Sequence, residues 1–498
     1  MKNGKQTAYD GVRQSVALTS WRRGIGLLLV LAATVASAQN EQPNAVKFKT
    51  LANFDSTNGD PQAALVQGRD GKLYGTTIVS GPNNGTVFSV TPAGALTVLH
   101  QFSGPDGGDP LTPVIEAPDG SFYGLTQQGG SPGADCPNLF GCGIFFKITS
   151  TGTFSVLYNF CSQPNCSDGD QPLGLALGSD GNLYGTTATG GTITACLNGC
   201  GTAFKVTLKG VLTTLYSFCV QPNCTDGAAP YSLALGRDGS LYGATNGGGS
   251  YGYGTIFKMS RQGSLTTLHS FDNTDGAYPS PGSPLIQAAD GDLYGTAPLG
   301  GATGNGTVYK ITTGGAFTLL HSFCTHPGCP DGSFPYGPLV QATDGIFYGS
   351  TNAGQINCGT IYKIDSAGAL KTLYQFTCTS DGGYPAGGLI QDTNGALYGT
   401  TSFGGANNNG GTVFSLSVGL GPFVETSPTS GKVGATIQIL GTNLSGATSA
   451  SFNGAMAAFS VISKTLITAT VPAGATTGFV TVTGPNGTLK SNVKFQVR

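Results

Sequence analysis

Aspartates are the side chains of this sequence best suited to acid–base or metal chemistry, and they recur in two patterns. One pattern is Asp-Gly before a Leu/Phe-Tyr-Gly triplet, and the other follows an aromatic segment. Both are turn positions, which Asp favours because its carboxylate hydrogen-bonds nearby backbone N–H groups. The second pattern also offers oxygen ligands for Ca²⁺, although its spacing is not that of a complete calcium loop. The sequence therefore predicts no cofactor except a structural Ca²⁺, with the candidate ligands Asp106, Asp109, Asp168 and Asp170.

Other residues with catalytic potential are few. Three of the four histidines, His100, His269 and His321, occupy one equivalent position of a repeated segment, which gives them a structural role. The sequence has neither a Gly-x-Ser-x-Gly motif with partners nor His-Glu-x-x-His. Hydrolysis by paired carboxylates needs two positioned acids. The sequence favours a non-enzymatic protein, and it leaves open an extracellular carbohydrate-active hydrolase or lyase that uses loop aspartates.

The twelve cysteines lie in loops, and their even number suggests disulfide bonds. Cys324 and Cys329 are alone in their part of the chain, so they are expected to pair with each other. By analogy, the spacing favours the pairs Cys136–Cys142, Cys161–Cys166, Cys196–Cys200 and Cys219–Cys224. Cys358 and Cys378 begin and follow the two strands of one hairpin, so they are expected to lie opposite each other and pair. A cross-loop arrangement, such as Cys142–Cys161 with Cys136–Cys166, is the alternative. A zinc site is a third option.

Seven copies of one unit organise these residues. The tyrosine of the Leu/Phe-Tyr-Gly triplet recurs every 49 to 61 residues, at Tyr74, Tyr123, Tyr184, Tyr242, Tyr294, Tyr348 and Tyr398. Turn residues separate each triplet from a Gly-Thr-Val-Phe-like segment and a Leu-Tyr/His-x-Phe-like segment. With the segment before the triplet, each unit has four short strands, here named a to d. Such repeats predict a seven-bladed β-propeller over residues 46–418.

The two ends of the repeat array indicate that it closes on itself. The array begins with a lone d strand, Lys47–Phe54, and ends with strands a to c, Gly387–Leu416. An open array would leave both fragments as unpaired sheet edges, whereas a ring lets the first strand complete the last blade. We therefore predict an all-β propeller closed by its N-terminal strand. A β-helix or an extended array is the alternative.

The composition agrees with a turn-rich β protein. Of the 498 residues, 81 are Gly and 10% are charged, and Glu occurs only three times. These features argue against a helical protein, because Gly destabilises helix interiors. The formal net charge of −2 gives no electrostatic basis for binding nucleic acid or anionic membranes.

The N-terminus has the three parts of an export signal. Arg22 and Arg23 precede an apolar segment at residues 25–35, which is followed by Ala-Ser-Ala before Gln39. We predict a signal peptide at residues 1–38, cleaved after export by the general secretory or the twin-arginine route. The apolar segment is shorter than the roughly 20 residues of a transmembrane helix, so no membrane anchor is expected after cleavage. The expected location is periplasmic, extracellular or at the cell surface.

At its repeated motifs the chain resembles the GloVer tandem-repeat family of exported bacterial proteins. The resemblance covers about residues 48–417, with small departures such as Asn394 in place of the turn aspartate. It implies no particular activity. Residues 422–498, with a run of short strands and turns, resemble an IPT/TIG domain, which implies an immunoglobulin-like sandwich acting as a spacer or a binding module.

The cysteines and the longest connections all belong to b–c or d–a segments, which emerge on one face of a propeller. Long loops on a rigid scaffold commonly carry function. We therefore expect an exported binding or scaffolding protein that contacts a glycan or a cell-surface protein through this face. The aromatic loop residues that are candidates for contact are Phe140, Tyr251, Tyr253 and Phe403. A purely structural cell-surface component is a further alternative.

Overall fold

The computed structural model describes residues 46–55, 57–78, 84–131, 135–136, 140–280, 283–354, 358–407 and 409–498. The predicted signal peptide lies outside these ranges. The chain from Pro43 to Arg498 forms one compact unit. Its described part is β-structure, with three single-turn 3₁₀ helices at Pro164–Cys166, Pro222–Cys224 and Leu444–Gly446.

The repeats form seven four-stranded antiparallel sheets. The chain starts with β1 (Lys47–Asn53). Blade one has β2 (Val66–Gln67), β3 (Leu73–Thr77), β4 (Thr86–Val90) and β5 (Leu96–Gln101). Blade two has β6 (Ile115–Glu116), β7 (Phe122–Thr126), β8 (Ile144–Ile148) and β9 (Phe154–Asn159). Blade three has β10 (Asp170–Leu177), β11 (Leu183–Thr189), β12 (Thr202–Val206) and β13 (Leu212–Ser217).

The remaining blades repeat the pattern. Blade four has β14 (Ala228–Leu235), β15 (Leu241–Gly247), β16 (Thr255–Met259) and β17 (Leu265–Ser270). Blade five has β18 (Ile286–Gln287), β19 (Leu293–Ala297), β20 (Thr307–Ile311) and β21 (Phe317–Ser322). Blade six has β22 (Val340–Gln341), β23 (Phe347–Thr351), β24 (Thr360–Ile364) and β25 (Leu370–Gln375). Blade seven has β26 (Leu389–Gln391), β27 (Leu397–Thr401) and β28 (Thr412–Ser417).

The N-terminal strand completes the seventh blade. β1 pairs antiparallel with β28, from Lys47 opposite Ser417 to Asn53 opposite Thr412, and the strand order is β1-β28-β27-β26. This pairing covers the outer edge of β28 with the strand from the other end of the array. The predicted fold, a seven-bladed propeller closed by an N-terminal strand, is confirmed.

The Leu/Phe-Tyr-Gly triplets form the buried second strands of the blades. In β3 the five residues are all buried, and a Cβ atom at Gly75 would lie 2.5 Å from the Phe88 ring. Glycine therefore lets the aromatic side chain of the next strand pack against the backbone. The Tyr74 ring stacks on Phe122 of the next blade at 4.0 Å, and its hydroxyl donates to the turn residue Asp70. The repeated tyrosines thus join neighbouring blades.

A β-sandwich follows the propeller. One sheet has the order β29-β31-β35-β34, and the other has the order β30-β37-β36-β32-β33. Their strands are β29 (Glu425–Ser427), β30 (Ser430–Gly431), β31 (Thr436–Leu440), β32 (Ser449–Phe452), β33 (Ala455–Ala457), β34 (Phe459–Val461), β35 (Leu466–Thr470), β36 (Gly478–Gly484) and β37 (Gly487–Val497). The core between the sheets includes Val424, Ile439, Phe452, Val480 and Phe495. This is the immunoglobulin-like architecture that the sequence predicts.

The sandwich contacts one face of the propeller. The a–b and c–d turns form this face, called the turn face, and the b–c and d–a connections form the opposite loop face. The N–H of Phe423 donates to the carbonyl of Thr393 in the blade-seven a–b turn at 3.0 Å. The Thr465 hydroxyl donates to the carbonyl of Arg69 in the blade-one turn at 2.7 Å. Neither of these two hydrogen bonds involves the loop face.

Candidate functional site

In each blade, one residue at or shortly before the innermost strand has a left-handed conformation. Each of these seven residues precedes a proline, and their φ angles lie between 52° and 60°. They are Asp60, Asp109, Gln171, Ala229, Tyr278, Phe334 and Tyr384. Left-handed φ in residues other than glycine costs energy and persists only where surrounding structure imposes it.

Hydrogen bonds between blades impose this conformation. The backbone N–H of each of these seven residues donates to a carbonyl in the b–c loop of the preceding blade. Examples are Asp60 to Gly410 at 2.8 Å and Asp109 to Asn84 at 3.0 Å. The seven positions therefore form a continuous ring, here called the mouth ring, around the loop-face opening of the central channel. Backbone strain concentrated in one ring is a feature of functional sites.

The mouth ring is chemically divided. Blades one to three contribute carboxyl and amide groups, from Asp60, Asp109 and Gln171. Blades five to seven contribute aromatic rings, from Tyr278, Phe334 and Tyr384. The backbone is repeated seven times while the side chains are not, so the ring presents a polar half and an aromatic half.

A cup of about 430 Å³ lies at this opening. Its lining residues follow the mouth ring or end the second strands of the blades: Gln62, Leu111, Ser280, Tyr336, Asn352, Ala386 and Ser402. The Gln62 side-chain amide donates to the Asp60 carboxylate at 3.1 Å, which connects the ring with the cup wall. The side chain of Tyr336 is accessible, since the residue is 36% exposed. The cup therefore combines amide, hydroxyl and aromatic groups.

The channel narrows beneath the cup. A Cβ atom at Gly387 would lie 2.4 Å from the carbonyl oxygen of Ala63, so the innermost strands of blades seven and one touch there. The next cavity along the channel has a volume of only about 140 Å³, and its lining is largely apolar, with Leu173, Leu175 and Leu233 among its residues.

The two carboxyl groups of the mouth ring are shifted toward their protonated forms. Burial raises the pKa of Asp109. Burial also raises the pKa of Asp60, a hydrogen bond from Gln62 opposes this, and the charge of Asp109 raises it further. The two side chains are therefore close enough to influence each other although 49 positions separate them in the sequence.

The four aromatic candidates fall into two groups. The Tyr253 ring contacts Tyr278 at 5.6 Å, and the Phe403 ring contacts Tyr384 at 5.7 Å, so both support aromatic residues of the mouth ring. Phe140 and Tyr251 are 74% and 64% exposed on loops. The structure thus connects two of the four to the channel mouth, and ligand contact by any of them stays a prediction.

The aspartates proposed for Ca²⁺ are distributed over different local networks. Asp106 accepts hydrogen bonds from the Ser103 N–H and hydroxyl, and Asp168 accepts from the Tyr158 hydroxyl. Asp170 accepts from Thr189, while Asp109 belongs to the mouth ring. Among the described residues, the groups of three or more metal-ligating side chains that lie together consist of cysteines. The calcium site stays a prediction.

The sequence did not single out Asp60 or the mouth ring. The available signal was the proline that begins strand a in every repeat, because the residue before it varies from Asp to Tyr while its surroundings repeat.

The cysteines form six disulfides, and no free cysteine occurs among the described residues. The bonded pairs are Cys136–Cys142, Cys161–Cys166, Cys196–Cys200, Cys219–Cys224, Cys324–Cys329 and Cys358–Cys378. These are the pairs that spacing favoured over the cross-loop arrangement. In blade three all four sulfur atoms lie within 4.8 Å of one another, so the disulfides also bring the b–c and d–a loops together.

His100 makes the stability of the propeller sensitive to acid. Its Nε2 lies 3.0 Å from the Asp106 carboxylate, and its ring stacks on Phe154 of the next blade at 3.8 Å. Burial lowers the pKa of His100, and the Asp106 charge opposes this. Because the native pKa lies below the unfolded value, near 6.5, the unfolded chain binds more protons as the pH falls. The free energy of unfolding should therefore decrease between about pH 7 and pH 5.

Replacing His100 with Tyr tests this expectation. Tyr158 already occupies the same position in blade two and donates to Asp168 at 2.7 Å, so His100→Tyr should keep the contact with Asp106. We expect the melting temperature of this variant to fall less between pH 7.5 and pH 5.5 than that of the parent. His326→Tyr, at an exposed loop position, is the matched control and should leave the pH dependence unchanged. An unaltered pH dependence in His100→Tyr would contradict the role given to His100.

Sequence profiles of known families match almost the whole described chain. The profile of the Gloeobacter/Verrucomicrobia repeat matches residues 40–221, 137–356, 196–414 and 326–452 in overlapping copies. The chain belongs to this repeat family. The IPT/TIG profile matches residues 423–497, so the sandwich of this repeat-family member is an IPT/TIG domain. Both resemblances seen in the sequence are confirmed.

Solved structures resemble this repeat-family member only distantly. One is the extracellular domain of a protein assigned as the hybrid two-component system BT3049 of B. thetaiotaomicron, at 10% identity and a TM-score of 0.48. This chain is covered to 90% and spans 57% of that one. The corresponding domain of BT4673 is 11% identical, with a TM-score of 0.46, and the match covers 91% of this chain and 60% of that one. The gluconolactonase XC5397 of Xanthomonas campestris is 11% identical, with a TM-score of 0.38. That match covers 75% of this chain and 90% of the gluconolactonase. No curated protein matches the chain.

The disulfides of this repeat-family member indicate where it works. Six disulfides are typical of an oxidising environment and rare in the reducing cytosol, so the protein is exported. None of the helices in the described ranges has the length and apolar character needed to cross a bilayer.

Proposed function

We propose that this protein is an exported, non-enzymatic binding protein that holds a neutral glycan in the cup at the loop-face mouth of its propeller. The observation that carries the proposal is the mixed wall of one cavity, in which amide and hydroxyl groups from Gln62 and Ser280 stand beside the aromatic ring of Tyr336. Its volume, about 430 Å³, lies within the usual range of small-ligand sites. The final compartment is proposed to be the periplasm, the cell surface or the extracellular medium.

A sugar ring has the two kinds of surface that this mixed wall complements. Its C–H faces are apolar and can pack on an aromatic ring, for which Tyr336 is available in the cup wall. Its hydroxyl groups both donate and accept hydrogen bonds, as do the amide of Gln62 and a carboxyl group such as Asp60. Binding would thus use the aromatic and the polar groups of the cup at once.

The charge of the cup favours a neutral glycan. Among the described residues that line it, none is Lys or Arg, so an anionic ligand would find no counter-charge. Burial raises the pKa values of Asp60 and Asp109, and a carboxyl group can hydrogen-bond with hydroxyl groups in either protonation state. A cell-surface protein could present the same chemistry through attached glycans, and the proposal applies to the glycan itself.

Loss of the Tyr336 ring is expected to weaken glycan binding at least about tenfold, a change of about 1.4 kcal/mol. The backbone carbonyl of Tyr336 accepts the Ser283 hydroxyl at 2.7 Å, and this bond survives the Tyr336→Ala substitution, so the fold should be retained. The measurement is calorimetric titration of the chain from Gln39 with neutral oligosaccharides. Gln62→Ala should weaken binding similarly by removing a polar contact.

Phe140→Ala is the matched control because Phe140 is an exposed aromatic residue of the same face. It should leave the affinity unchanged if the cup is the site. Loss of binding in Phe140→Ala but not in Tyr336→Ala would place the site on the loop tips and contradict the proposal. Absence of binding across the panel would favour a purely structural surface component.

A carbohydrate hydrolase is the second candidate, and the pair Asp60 and Asp109 favours it. These acids interrupt the repeat and lie two positions before the cup-lining residues Gln62 and Leu111, and burial raises their pKa values, the direction that a general acid requires. Product analysis of each bound oligosaccharide decides between the two functions. Release of shorter sugars by the parent chain, abolished in Asp60→Asn and Asp109→Asn, would replace the binding proposal with hydrolysis.

A further inference from the structure

A second cavity, of about 460 Å³, lies between the turn face of the propeller and the sandwich. On one side it is lined by the a–b turns of four successive blades, at Arg69, Pro118, Gly178 and Arg237. On the other side it is lined by the outer face of the β29 sheet and by the C-terminal strand, at Thr436, Gln438, Thr468, Gln496 and Arg498. It is separate from the cup, because the two cavities open on opposite faces.

The charged residues that line this cavity are all basic. Arg69 is already engaged, since its guanidinium donates to the Ala117 carbonyl at 2.8 Å and lies 3.7 Å from Glu116. Arg237 and Arg498 are exposed at the rim, and neither guanidinium forms an ion pair with a described residue. Two guanidinium groups are therefore free to bind an anion, which Arg does through paired N–H donors.

The aspartates of the neighbouring turns are already committed to their own blades. Asp180 accepts the Tyr184 hydroxyl at 2.8 Å, and Asp238 accepts the Tyr242 hydroxyl at 2.9 Å. Asp238 also forms an ion pair with Lys258 at 2.9 Å. The positive charge at the cavity rim is thus not paired with the acids nearest to it in the sequence.

An unused hydrogen-bond acceptor belongs to a residue that lines the same cavity. The side-chain oxygen of Gln438 is buried and has no partner among the described residues. A buried acceptor without a partner is costly and indicates an absent water or ligand. The wall beside it also carries the hydroxyl groups of Ser430, Thr436 and Thr468. A ligand that satisfies Gln438 must donate a hydrogen bond, as a hydroxyl group does.

We propose that this cavity binds a small anion that also carries hydroxyl groups, such as a sugar acid or a sugar phosphate. The acid group would lie between Arg237 and Arg498, and a hydroxyl group would donate to Gln438. This goes beyond the neutral glycan proposed for the cup, since it concerns another ligand class on the opposite face. Because both domains contribute to the wall, the bound anion would also hold the sandwich against the propeller.

The test is calorimetric titration of the chain from Gln39 with gluconate, glucose 6-phosphate, glucose and inorganic phosphate. Gluconate or glucose 6-phosphate should bind, and the better of the two identifies a carboxylate or a phosphate as the preferred acid group. Glucose and inorganic phosphate should bind at least tenfold more weakly. Inorganic phosphate binding as tightly as glucose 6-phosphate would overturn the role of the hydroxyl contact.

Two variants locate the binding site. Arg237→Gln should weaken binding of the preferred anion at least tenfold, whereas Arg261→Gln, in the c–d turn of the same blade and outside the cavity wall, should not. Gln438→Met should weaken binding of the sugar anion and leave the affinity for inorganic phosphate unchanged. Equal losses in Arg237→Gln and Arg261→Gln would overturn the proposal by showing non-specific attraction. Tyr336→Ala should have no effect here, which separates this test from that of the cup.

Discussion

Phe54→Ala is expected to lower the free energy of unfolding by about 3–5 kcal/mol. Phe54 follows the closing strand β1, is fully buried, and packs against Phe88 of blade one at 4.9 Å. Its N–H donates to the carbonyl of Gly411 in blade seven at 3.0 Å. Truncation would leave a cavity where the first and last blades meet, and ring closure depends on that junction.

Urea unfolding followed by circular dichroism measures this loss. Lys49→Ala, an exposed position of the same strand, is the control and should change stability by less than about 0.5 kcal/mol. Deletion of residues 47–54 should have a larger effect, because it uncovers the edge of β28 and promotes association through that edge. A deletion variant that unfolds at the same urea concentration as the parent would contradict closure by β1.

Asp392→Asn is expected to stabilise the protein at pH 7 by about 3 kcal/mol. Asp392 lies in the a–b turn of blade seven, is 2% exposed, and has one carboxylate oxygen without a partner among the described residues. Burial raises the pKa of Asp392 to about 6, although a hydrogen bond from the Asn394 N–H acts to lower it. Burial also raises the pKa of Glu425 in β29, and the Asp392 charge adds to this shift. Two carboxyl groups with raised pKa values thus influence each other where the sandwich contacts the propeller.

The sign of the pH effect follows from the direction of these shifts. The native Asp392 holds its proton up to about pH 6, while the unfolded residue loses it near pH 3.9. The native state therefore binds more protons in this interval, and the free energy of unfolding falls as the pH rises through it. Asparagine keeps the acceptor for Asn394 without the charge. The advantage of Asp392→Asn should accordingly vanish below about pH 4.

Thermal unfolding of both chains from pH 4 to pH 8 measures this difference. Asp344→Asn is the matched control, because Asp344 is an exposed aspartate in the equivalent turn of blade six and accepts the Tyr348 hydroxyl. It should be neutral or slightly destabilising. A stability gain in Asp392→Asn that persists unchanged at pH 4 would show that the buried charge is not its cause.

The sequence by itself determined the strands, their number and the ring. Asp-Gly turns, Leu/Phe-Tyr-Gly triplets and the lone first strand act through local backbone preferences and edge pairing, which a sequence displays directly. The favoured disulfide pairs have the same origin, since most partners are four to six residues apart. The divergent blade-seven turn at Asn394 was also visible in the sequence, but its contact with the sandwich was not.

Only the tertiary structure decided which side chains meet. The mouth ring depends on bonds between blades, such as Asp60 to Gly410, and no local propensity would place Asp or Tyr in a left-handed conformation before proline. Asp60 and Asp109 become neighbours because adjacent blades bring equivalent positions together, and Asp392 meets Glu425 because the sandwich contacts the turn face. Repetition reveals what all blades share. The candidate sites arise where blades differ, and the structure is needed to show which differences face one another.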